Sequence, residues 1–567
     1  MPPIIHKSHH ALFDVLEPDI EKWAIYQLGI DRQAFIHQLT QDSIDHLRKL
    51  FHNDPRRISE EIARAMYLER VRIKEDPWAV DPKDEKSFWN KVNEQLIEFS
   101  LKKPLEGERP EEAALLQSIV ARYANEIPGT FDITAYRLAT LVVPSLFYRL
   151  LNTASTKRLF RPKIALHERL KVTGDLEKIR QLARNNTILL TPTHFSNLDS
   201  LLVGWVINSL GLPAFLYGAG LNLFNSTLFG YFMHRLGAYK VDRRKKNALY
   251  IETLKVYARN ALQRRCHSLF FPGGTRSRSG QLETHLKMGL LGAAVEAQRL
   301  NFMETQQEND TQGKKIVVLP LVINYHFVLE ASSLIDGYLK QSGREKYFID
   351  RDDFPGIRKL LQFLWKFFSS KTEVVLSFGE PMDIFGNRLD EQGQSIGKQG
   401  QHIDISTYFY SDGKLCADAQ RDSEYTKLLA EHIIQQFYAA NTVLASHLIA
   451  FVAFEILSRK HRRLDLYGLL RIPEQDRMIP IEQFLPVVER VRQAIKTLSD
   501  NNHIKMADNL HGDIKRIVEY GTANLGVYHS KRALKFTDDQ RFLTSENMNL
   551  LYYYHNRLLG YELESII

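Results

Sequence analysis

A histidine followed five positions later by an aspartate can supply a general base and the carboxylate that orients it. This spacing occurs four times in the chain: His9/Asp14, His37/Asp42, His194/Asp199 and His503/Asp508. Only the third pair follows a short apolar run, "TILL", and precedes an apolar stretch with helical character, "LDSLLVGWVINSLG". The sequence therefore favours His194 and Asp199 as the pair with a chemical role, at a turn between a strand and a helix.

This pair can meet in only one arrangement. On one continuous helix, five residues place two side chains about 140° apart, so His194 must lie in the turn before the helix. Asp199 would then lie in the first helical turn, where the helix dipole favours a carboxylate. The alternative is a histidine at a strand end beside an aspartate that only caps the helix, and the spacing by itself does not separate the two.

A second cluster of polar residues lies in "FFPGGTRSRSG", which runs from Phe270 to Gly280. Paired glycines allow backbone N–H groups to turn toward an anion, and Arg276 and Arg278 add bidentate donors. These residues indicate a phosphate-binding loop, although the spacing is neither that of a Walker loop nor that of a dinucleotide-binding loop. Lys287 could add a third positive charge. The alternative is a tight turn with its cations in solvent.

Two further clusters follow apolar runs. "VDRRKK" places Asp242, Arg243 and Arg244 at the end of one such run, and its alternative interpretation is a charged surface loop. "VVLPLVINY" holds Pro320 within a predicted buried strand. A proline in that position implies an edge, a bulge or a bend, because it removes a hydrogen-bond donor from the strand.

The elements that would position these clusters follow from the pattern of apolar residues. Short apolar runs alternate with helical patterns over residues 166–385, which predicts an α/β fold with a largely parallel central sheet flanked by helices. Ligands of such folds gather at the carboxyl ends of the strands. Residues 1–165 and 423–567 have the three-and-four spacing of amphipathic helices, which predicts helical N-terminal and C-terminal regions. The Gly- and Gln-rich segment 386–422 is predicted to be a polar linker or a mobile loop.

The composition argues against several classes of site. The chain has 567 residues, a net charge of +8 and only two cysteines, without any Cys/His cluster. We therefore expect no zinc site, no disulfide framework and no metal. We also expect no nucleic acid as a partner, because the chain has no long basic run and no RNA-binding aromatic pattern.

The chain contains segments that could lie on a membrane but none that reads as a spanning helix. No uninterrupted apolar stretch reaches the roughly 18–20 residues of a spanning helix, and the N-terminus lacks the pattern of a signal peptide. Two segments, 147–163 and 356–371, combine aromatic and basic residues, which is typical of contact with an anionic lipid surface. We expect a peripheral or monotopic protein on the cytoplasmic face of a membrane. The alternative for the first segment is a packed helix with a basic end.

The four clusters, in this order, resemble the four sequence blocks of the glycerolipid acyltransferase superfamily over roughly residues 141–381. The first block, His-x4-Asp, is matched by His194 and Asp199, and the second, which ends in arginine, by Gly237 and Arg243. The third block, Phe-x-Glu-Gly-x-Arg-Ser-Arg-x-Gly, is matched by Phe271, Gly274, Arg276, Ser277, Arg278 and Gly280. The fourth is matched by the aliphatic residues around Pro320. The stretches "KMGLL" and "INYHFVLEA" are most similar to the glycerol-3-phosphate acyltransferase branch.

The resemblance implies transfer of a fatty acyl group from a thioester, acyl-CoA or acyl-carrier protein, to a hydroxyl of glycerol 3-phosphate, without a cofactor. His194 would deprotonate the acceptor hydroxyl, and Asp199 would orient the imidazole. The remaining site residues would bind the phosphorylated acceptor: Arg243, Gly274, Arg276, Ser277, Arg278 and Lys287. The alternatives are an acyltransferase that acts on lysophosphatidate or dihydroxyacetone phosphate, and a non-enzymatic protein that binds anionic lipid.

Two positions depart from the family pattern. Gly273 stands where the third block has a glutamate, and Lys240 replaces an aromatic residue of the second block. Any contact that the glutamate makes with the acceptor in relatives must therefore be absent here or come from another residue. The departures affect the identity of the acceptor more than the type of reaction.

Overall fold

A seven-stranded sheet lies at the centre of the described structure, a computed structural model that covers residues 11–101, 110–153, 166–221, 224, 227–308, 315–342 and 372–567. Its strands are β1 (Leu170–Thr173), β2 (Thr187–Pro192), β3 (Leu216–Gly220), β4 (Ala238–Val241), β5 (Ser268–Leu269), β6 (Ile316–Tyr325) and β7 (Val374–Phe378). Their order across the sheet is β1-β7-β6-β2-β5-β3-β4. Neighbouring strands run parallel, except that β6 and β7 are antiparallel.

Helices cover the sheet, as the alternating pattern predicts. They are α7 (Leu176–Asn185), α8 (Asp199–Ser209), α9 (Thr227–Arg235), α10 (Ala248–Gln263), α11 (Met288–Glu308) and α12 (Ala331–Ser342). Every residue of β2, β6 and β7 is buried, which explains why these strands are continuous apolar runs and not alternating ones. The predicted α/β fold with a largely parallel central sheet is confirmed.

Pro320 lies at a one-residue offset between β6 and β7. Leu321 pairs with Phe378, and Val318 bridges to Met382. The three residues 379–381 therefore lie opposite two residues of β6, Leu319 and Pro320. This is the arrangement of a β-bulge, which tolerates a residue without an N–H donor. The sequence predicts an edge, a bulge or a bend here, and the structure has the bulge within the sheet.

The N-terminal region is helical, as predicted. Its helices are α1 (Ala24–Ile30), α2 (Arg32–Leu50), α3 (Pro55–Glu75), α4 (Glu85–Leu101), α5 (Pro110–Glu126) and α6 (Ile133–Thr153). Their buried residues form one apolar core with α10 and with side chains from β3 and β4. The N-terminal helices therefore pack on the β3–β4 end of the sheet.

The C-terminal region is also helical, as predicted. Its helices are α13 (Ala419–Ala440), α14 (Ala445–Lys460), α15 (Leu466–Leu470), α16 (Ile481–Asp500), α17 (Ile514–Asn524) and α18 (Met548–His555), joined by short strands β13 (Thr442–Val443), β14 (Ile479–Pro480), β15 (Lys505–Met506), β16 (Lys535–Phe536) and β17 (Phe542–Thr544). The core of the sheet continues into these helices without a break.

The segment 386–422, for which the sequence predicts a linker or mobile loop, contains short paired strands. These are β8 (Arg388–Leu389), β9 (Ser395–Ile396), β10 (His402–Ile403), β11 (Tyr410–Ser411) and β12 (Lys414–Leu415). The segment also buries Leu389, Ile405 and Phe409 in the main core. Sequence reasoning missed this packing because the buried apolar residues stand singly among Gly and Gln and form no periodic pattern.

Across the described residues, no helix combines the length and apolar character needed to cross a membrane. The predicted membrane-surface segment 147–163 begins in α6, and its residues 154–163 lie outside the described residues. The segment 356–371 lies wholly outside them.

Candidate active site

His194 and Asp199 meet at the carboxyl end of β2. The strand ends at Pro192 and α8 begins at Asp199, so His194 lies in the turn that joins them. His194 Nδ1 and Asp199 Oδ2 are 2.9 Å apart, with the aspartate buried and the histidine side chain 14% exposed. This is the one arrangement in which the spacing permits contact.

Asp199 is held by donors on both carboxylate oxygens. Oδ2 also accepts the backbone N–H groups of Phe195 at 2.6 Å and Ser196 at 2.9 Å, and Oδ1 accepts the hydroxyl of Tyr325 at 2.5 Å. Burial holds the pKa of Tyr325 well above its ordinary value, so the phenol stays protonated and donates.

The carboxylate fixes the tautomer of the imidazole. Because Asp199 only accepts, the proton of neutral His194 lies on Nδ1, which leaves the lone pair of Nε2 available as a base. Nε2 has no hydrogen-bond partner among the described residues. The ring also stacks on Phe271 at a centroid distance of 4.1 Å, so its plane is fixed by packing as well as by hydrogen bonding.

The third-block loop contacts the backbone of His194. The N–H of Ser277 donates to the carbonyl of His194 at 2.7 Å, and the Ser277 hydroxyl donates to the carbonyl of Gln281 at 2.7 Å. Gly274 has a φ of +78°, which glycine adopts without strain. Ser277 and Gly274 therefore shape the loop and hold it against the strand end that carries His194.

Arg276 lies in a buried ion pair with Glu330. Its Nη1 is 3.2 Å from Glu330 Oε1, and both side chains are buried. Glu330 in turn accepts the N–H of Asn197 at 3.1 Å and the hydroxyl of Ser196 at 3.0 Å. Burial raises the pKa of Glu330, and the charge of Arg276 opposes that effect. In this structure Arg276 thus stabilises the turn that carries His194.

Arg278 and Lys287 are the accessible cations of this loop. Arg278 is half-buried and Lys287 is exposed, and neither has an ion-pair partner among the described residues. The Lys287 side chain lies over Gly274, where an added Cβ would come within 3.0 Å of its Cγ. Both cations remain predicted ligands of the acceptor phosphate.

Arg243 lies farther from His194. It is exposed after the end of β4, which is separated from β2 by β5 and β3, or three strand spacings of about 4.8 Å. Its neighbours are engaged with the N-terminal helices: Arg244 binds Asp81 at 2.5 Å, and the buried Lys245 binds Glu126 at 2.6 Å. Much of the positive charge of "VDRRKK" is therefore neutralised within the protein.

Sequence reasoning missed Glu283, which lies beside His194. Its Oε1 accepts the backbone N–H of His194 at 3.1 Å. Its Oε2 is buried and has no hydrogen-bond partner within the described residues. Burial raises the pKa of Glu283 to about 7. The one available signal was an acidic residue in an otherwise basic stretch, "RSRSGQLETHLK".

Comparison with known proteins adds to this geometry. Residues 170–324, which include His194, Asp199 and the third-block loop, match the family model described as Acyltransferase. The chain is also 25% identical over 468 residues to the glycerol-3-phosphate acyltransferase of Pseudomonas aeruginosa strain LESB58, covering 82% of this chain and 47% of the relative.

Other relatives carry the same description over a shorter region. The glycerol-3-phosphate acyltransferases of Pseudomonas fluorescens strain Pf-5 and Ectopseudomonas mendocina are each 26% identical, over 296 and 294 residues or 52% of this chain. They are matched over 31% and 30% of their own lengths. The chain spans less than half the length of the curated relatives it matches.

The residues that directly follow α18 make further contacts with residues 170–324 beside His194 and the third-block loop. Arg557 is buried, packs 3.9 Å from the ring of Phe195, and donates to the carbonyl of Ile323 at 2.6 Å. Burial lowers its pKa to about 10. Asn556 donates to the carbonyl of Ser279 at 2.9 Å. No motif pointed to these residues, because each makes its contact with a segment hundreds of positions away.

The described residues contain no cluster suited to a metal ion. No group of three or more His, Cys, Asp or Glu side chains among them could hold a metal ion.

Proposed function

We propose that this protein transfers a fatty acyl group from a thioester, acyl-CoA or acyl-carrier protein, to a hydroxyl of glycerol 3-phosphate, giving lysophosphatidate. The observation that carries the proposal is the His194–Asp199 pair, with Nε2 open, in a domain of the acyltransferase family. The relatives described as glycerol-3-phosphate acyltransferases support this choice of acceptor.

In the proposed reaction, His194 Nε2 accepts the proton of the acceptor hydroxyl while the hydroxyl oxygen attacks the thioester carbonyl. Asp199 stabilises the imidazolium that forms. Collapse of the tetrahedral intermediate breaks the C–S bond, and the imidazolium returns its proton to the departing thiolate. The products are an ester and a free thiol, and the enzyme is regenerated without a covalent intermediate.

The turn that begins the third-block loop offers donors for the oxyanion of that intermediate. The N–H groups of Gly273 and Thr275 have no acceptor within the described residues. Backbone donors that are fixed before the reaction stabilise developing charge without reorganisation. We assign the oxyanion site to this turn.

The acceptor phosphate would bind to Arg278 and Lys287, with Arg243 as a more distant cation. Charge reversal by Arg278→Glu or Lys287→Glu is expected to raise KM for the phosphorylated acceptor and to leave KM for the thioester nearly unchanged. Lys515→Glu is the matched control, because Lys515 is an exposed lysine on α17 without an ion pair among the described residues. An effect on kcat alone would contradict phosphate binding.

An apolar face on α6 supports a peripheral contact with a membrane, which we propose to be at its cytoplasmic face. Leu138, Leu141 and Val142 on α6 are 46%, 68% and 46% exposed, and Tyr231 on the neighbouring α9 is 52% exposed. The acyl chain and the lipid product both favour a membrane surface carrying anionic lipid. The basic and aromatic segments at 147–163 and 356–371 are the further candidates for this contact.

The direct test uses the purified full chain, radiolabelled acyl-CoA and a panel of acceptors: glycerol 3-phosphate, dihydroxyacetone phosphate and lysophosphatidate. Labelled lysophosphatidate and an equal amount of free thiol are the expected products. His194→Ala should abolish the reaction, whereas His503→Ala should not, although His503 shares the same five-residue spacing to an aspartate. Lipid binding without thiol release, or a folded His194→Ala protein with full activity, would refute the proposal.

A further inference from the structure

The carboxylate that the third block lacks at Gly273 has a spatial replacement. A Cβ added at Gly273 would lie 3.0 Å from Glu283 Cγ and 3.2 Å from Glu283 Oε1. The side chain of Glu283 therefore lies against the position from which a glutamate at 273 would extend. A side chain at 273 would therefore force Glu283 to move from its present position by at least a few tenths of an ångström.

Glu283 is held against the backbone of His194 with one carboxylate oxygen unpaired among the described residues. Its Oε1 accepts the N–H of His194 at 3.1 Å, which fixes the carboxylate beside the base. Its Oε2 is buried and unpaired among the residues that the structure describes. Buried acceptors in native proteins are nearly always satisfied, so an unsatisfied carboxylate oxygen next to a base is suited to a donor that arrives with the substrate.

We propose that Glu283 Oε2 accepts a hydrogen bond from a second hydroxyl of the acceptor, adjacent to the hydroxyl that His194 deprotonates. This inference rests on the proposed function and deepens it, because it specifies an acceptor with two neighbouring hydroxyl groups. Glycerol 3-phosphate has this pair. Dihydroxyacetone phosphate has a carbonyl in place of one hydroxyl, and lysophosphatidate has an ester, so neither donates the second hydrogen bond.

The raised pKa of Glu283 agrees with this role. Burial disfavours the ionised form of Glu283, whose Oε2 has no partner among the described residues, and raises its pKa to about 7. A donor hydroxyl that stabilises the ionised form would lower that pKa when the acceptor binds. Binding of glycerol 3-phosphate should therefore release a fraction of a proton near neutral pH.

The test measures discrimination between acceptors. The values of kcat/KM are compared for glycerol 3-phosphate and two analogues, 3-hydroxypropyl phosphate and 2-hydroxypropyl phosphate, each of which keeps one hydroxyl. A hydrogen bond to a charged group corresponds to a preference of about 10- to 150-fold. Wild-type protein should prefer glycerol 3-phosphate by about that factor over the analogue that still reacts. In Glu283→Ala the preference should fall to nearly one.

A compensating pair of substitutions tests whether Glu283 takes the place of the third-block glutamate. Gly273 does not have a positive φ, so a glutamate there is compatible with the backbone once Glu283 is removed. Gly273→Glu alone should impair activity through the clash, whereas Gly273→Glu combined with Glu283→Ala should restore much of the preference. Glu252→Gln is the matched control, because Glu252 is a largely buried carboxylate on α10 that binds His46 away from this site.

The outcomes separate the two proposals. The ratio of kcat/KM for glycerol 3-phosphate to that for the analogue should fall to nearly one in Glu283→Ala and recover in the double variant. That result supports the role of Glu283. An unchanged ratio, with all acceptors slowed equally or not at all, overturns it and leaves Glu283 as a structural residue. A wild-type protein that acylates glycerol 3-phosphate and the analogues equally well also overturns it. A wild-type protein that acylates no phosphorylated acceptor refutes the proposed function instead.

Discussion

Replacement of Asp199 by asparagine separates the charge of the pair from its geometry. The Oδ2 position faces three N–H donors, from His194, Phe195 and Ser196. Among the described residues, the one donor to Oδ1 is the hydroxyl of Tyr325. The amide of Asp199→Asn must therefore place its oxygen at the Oδ2 position and its NH2 toward Tyr325, whose oxygen can accept. The imidazole keeps its proton on Nδ1, and only the negative charge is lost.

The size of the effect follows from the lost attraction. With Nδ1 and Oδ2 at 2.9 Å, the centres of the imidazolium and carboxylate charges are about 4 Å apart. At an effective dielectric constant of about 20, their interaction is about 4 kcal/mol. If it acts fully in the transition state, its removal lowers kcat by about 10³-fold. KM for the acceptor should change little, because Asp199 does not contact substrate.

The assay is acyl transfer at saturating thioester and glycerol 3-phosphate, with His194→Ala and the double variant measured beside Asp199→Asn. Because Asp199 acts through the imidazole, the double variant should be no slower than His194→Ala alone. Tyr325→Phe is the control for packing: it should lower the free energy of unfolding by about 1.5–3 kcal/mol, since it removes a bond to a charged group, and reduce kcat by less than about tenfold. Full activity in Asp199→Asn, or a further loss when it is added to His194→Ala, would refute this account.

Three further predictions concern stability, measured by urea unfolding. Arg276→Gln leaves Glu330 buried without its cation and should lower the free energy of unfolding by about 3–5 kcal/mol; no loss would contradict a structural role for the pair. Because burial raises the pKa of Glu283 from 4.5 to about 7, its favourable contribution is complete below pH 4.5 and disappears as the pH rises through 7. As the pH rises across that window, the free energy of unfolding of the wild-type protein should therefore fall by up to roughly 3 kcal/mol relative to that of Glu283→Gln. Parallel plots of unfolding free energy against pH for the two proteins would refute this. Gly280 and Gly400 have similar positive φ angles, but a Cβ at Gly280 would meet a backbone oxygen of α18, whereas a Cβ at Gly400 would meet open space. Gly400→Ala should lower the free energy of unfolding by about 1–2 kcal/mol, and Gly280→Ala should lower it by more. Equal losses would contradict the close approach of α18.

Local sequence patterns predicted the fold and the meeting of the first pair. The apolar run before His194 and the helical pattern after Asp199 fix a strand, a turn and a helix within about twenty residues. Strand–helix alternation then requires a largely parallel sheet, because each helix must bury its apolar face against it. These predictions succeeded because each element is identified by the pattern of apolar residues within its own short segment.

The contacts that modify the site were not predictable in the same way. Arg276 and Glu330 are 54 positions apart; the sequence places Arg276 in solvent or on a ligand and gives no role to Glu330. His194 and Glu283 are 89 positions apart. Arg557 reaches the carbonyl of Ile323 across 234 positions. A polar residue whose partner comes from a distant element carries no periodic or spacing signal.

The replacement at Gly273 shows how a motif can lose a residue and keep its geometry. Between positions 273 and 283 the chain makes one loop, which the Ser277 hydroxyl spans by donating to the Gln281 carbonyl and which the Lys287 N–H closes by donating to the Pro272 carbonyl. That closure brings Glu283 back to the point where the loop began, so a carboxylate can reach the same space from either end. The sequence motif records a glycine at position 273, whereas a bound acceptor would contact the carboxylate of Glu283. The third block is therefore better defined by a carboxylate located beside His194 than by the sequence position that supplies this carboxylate.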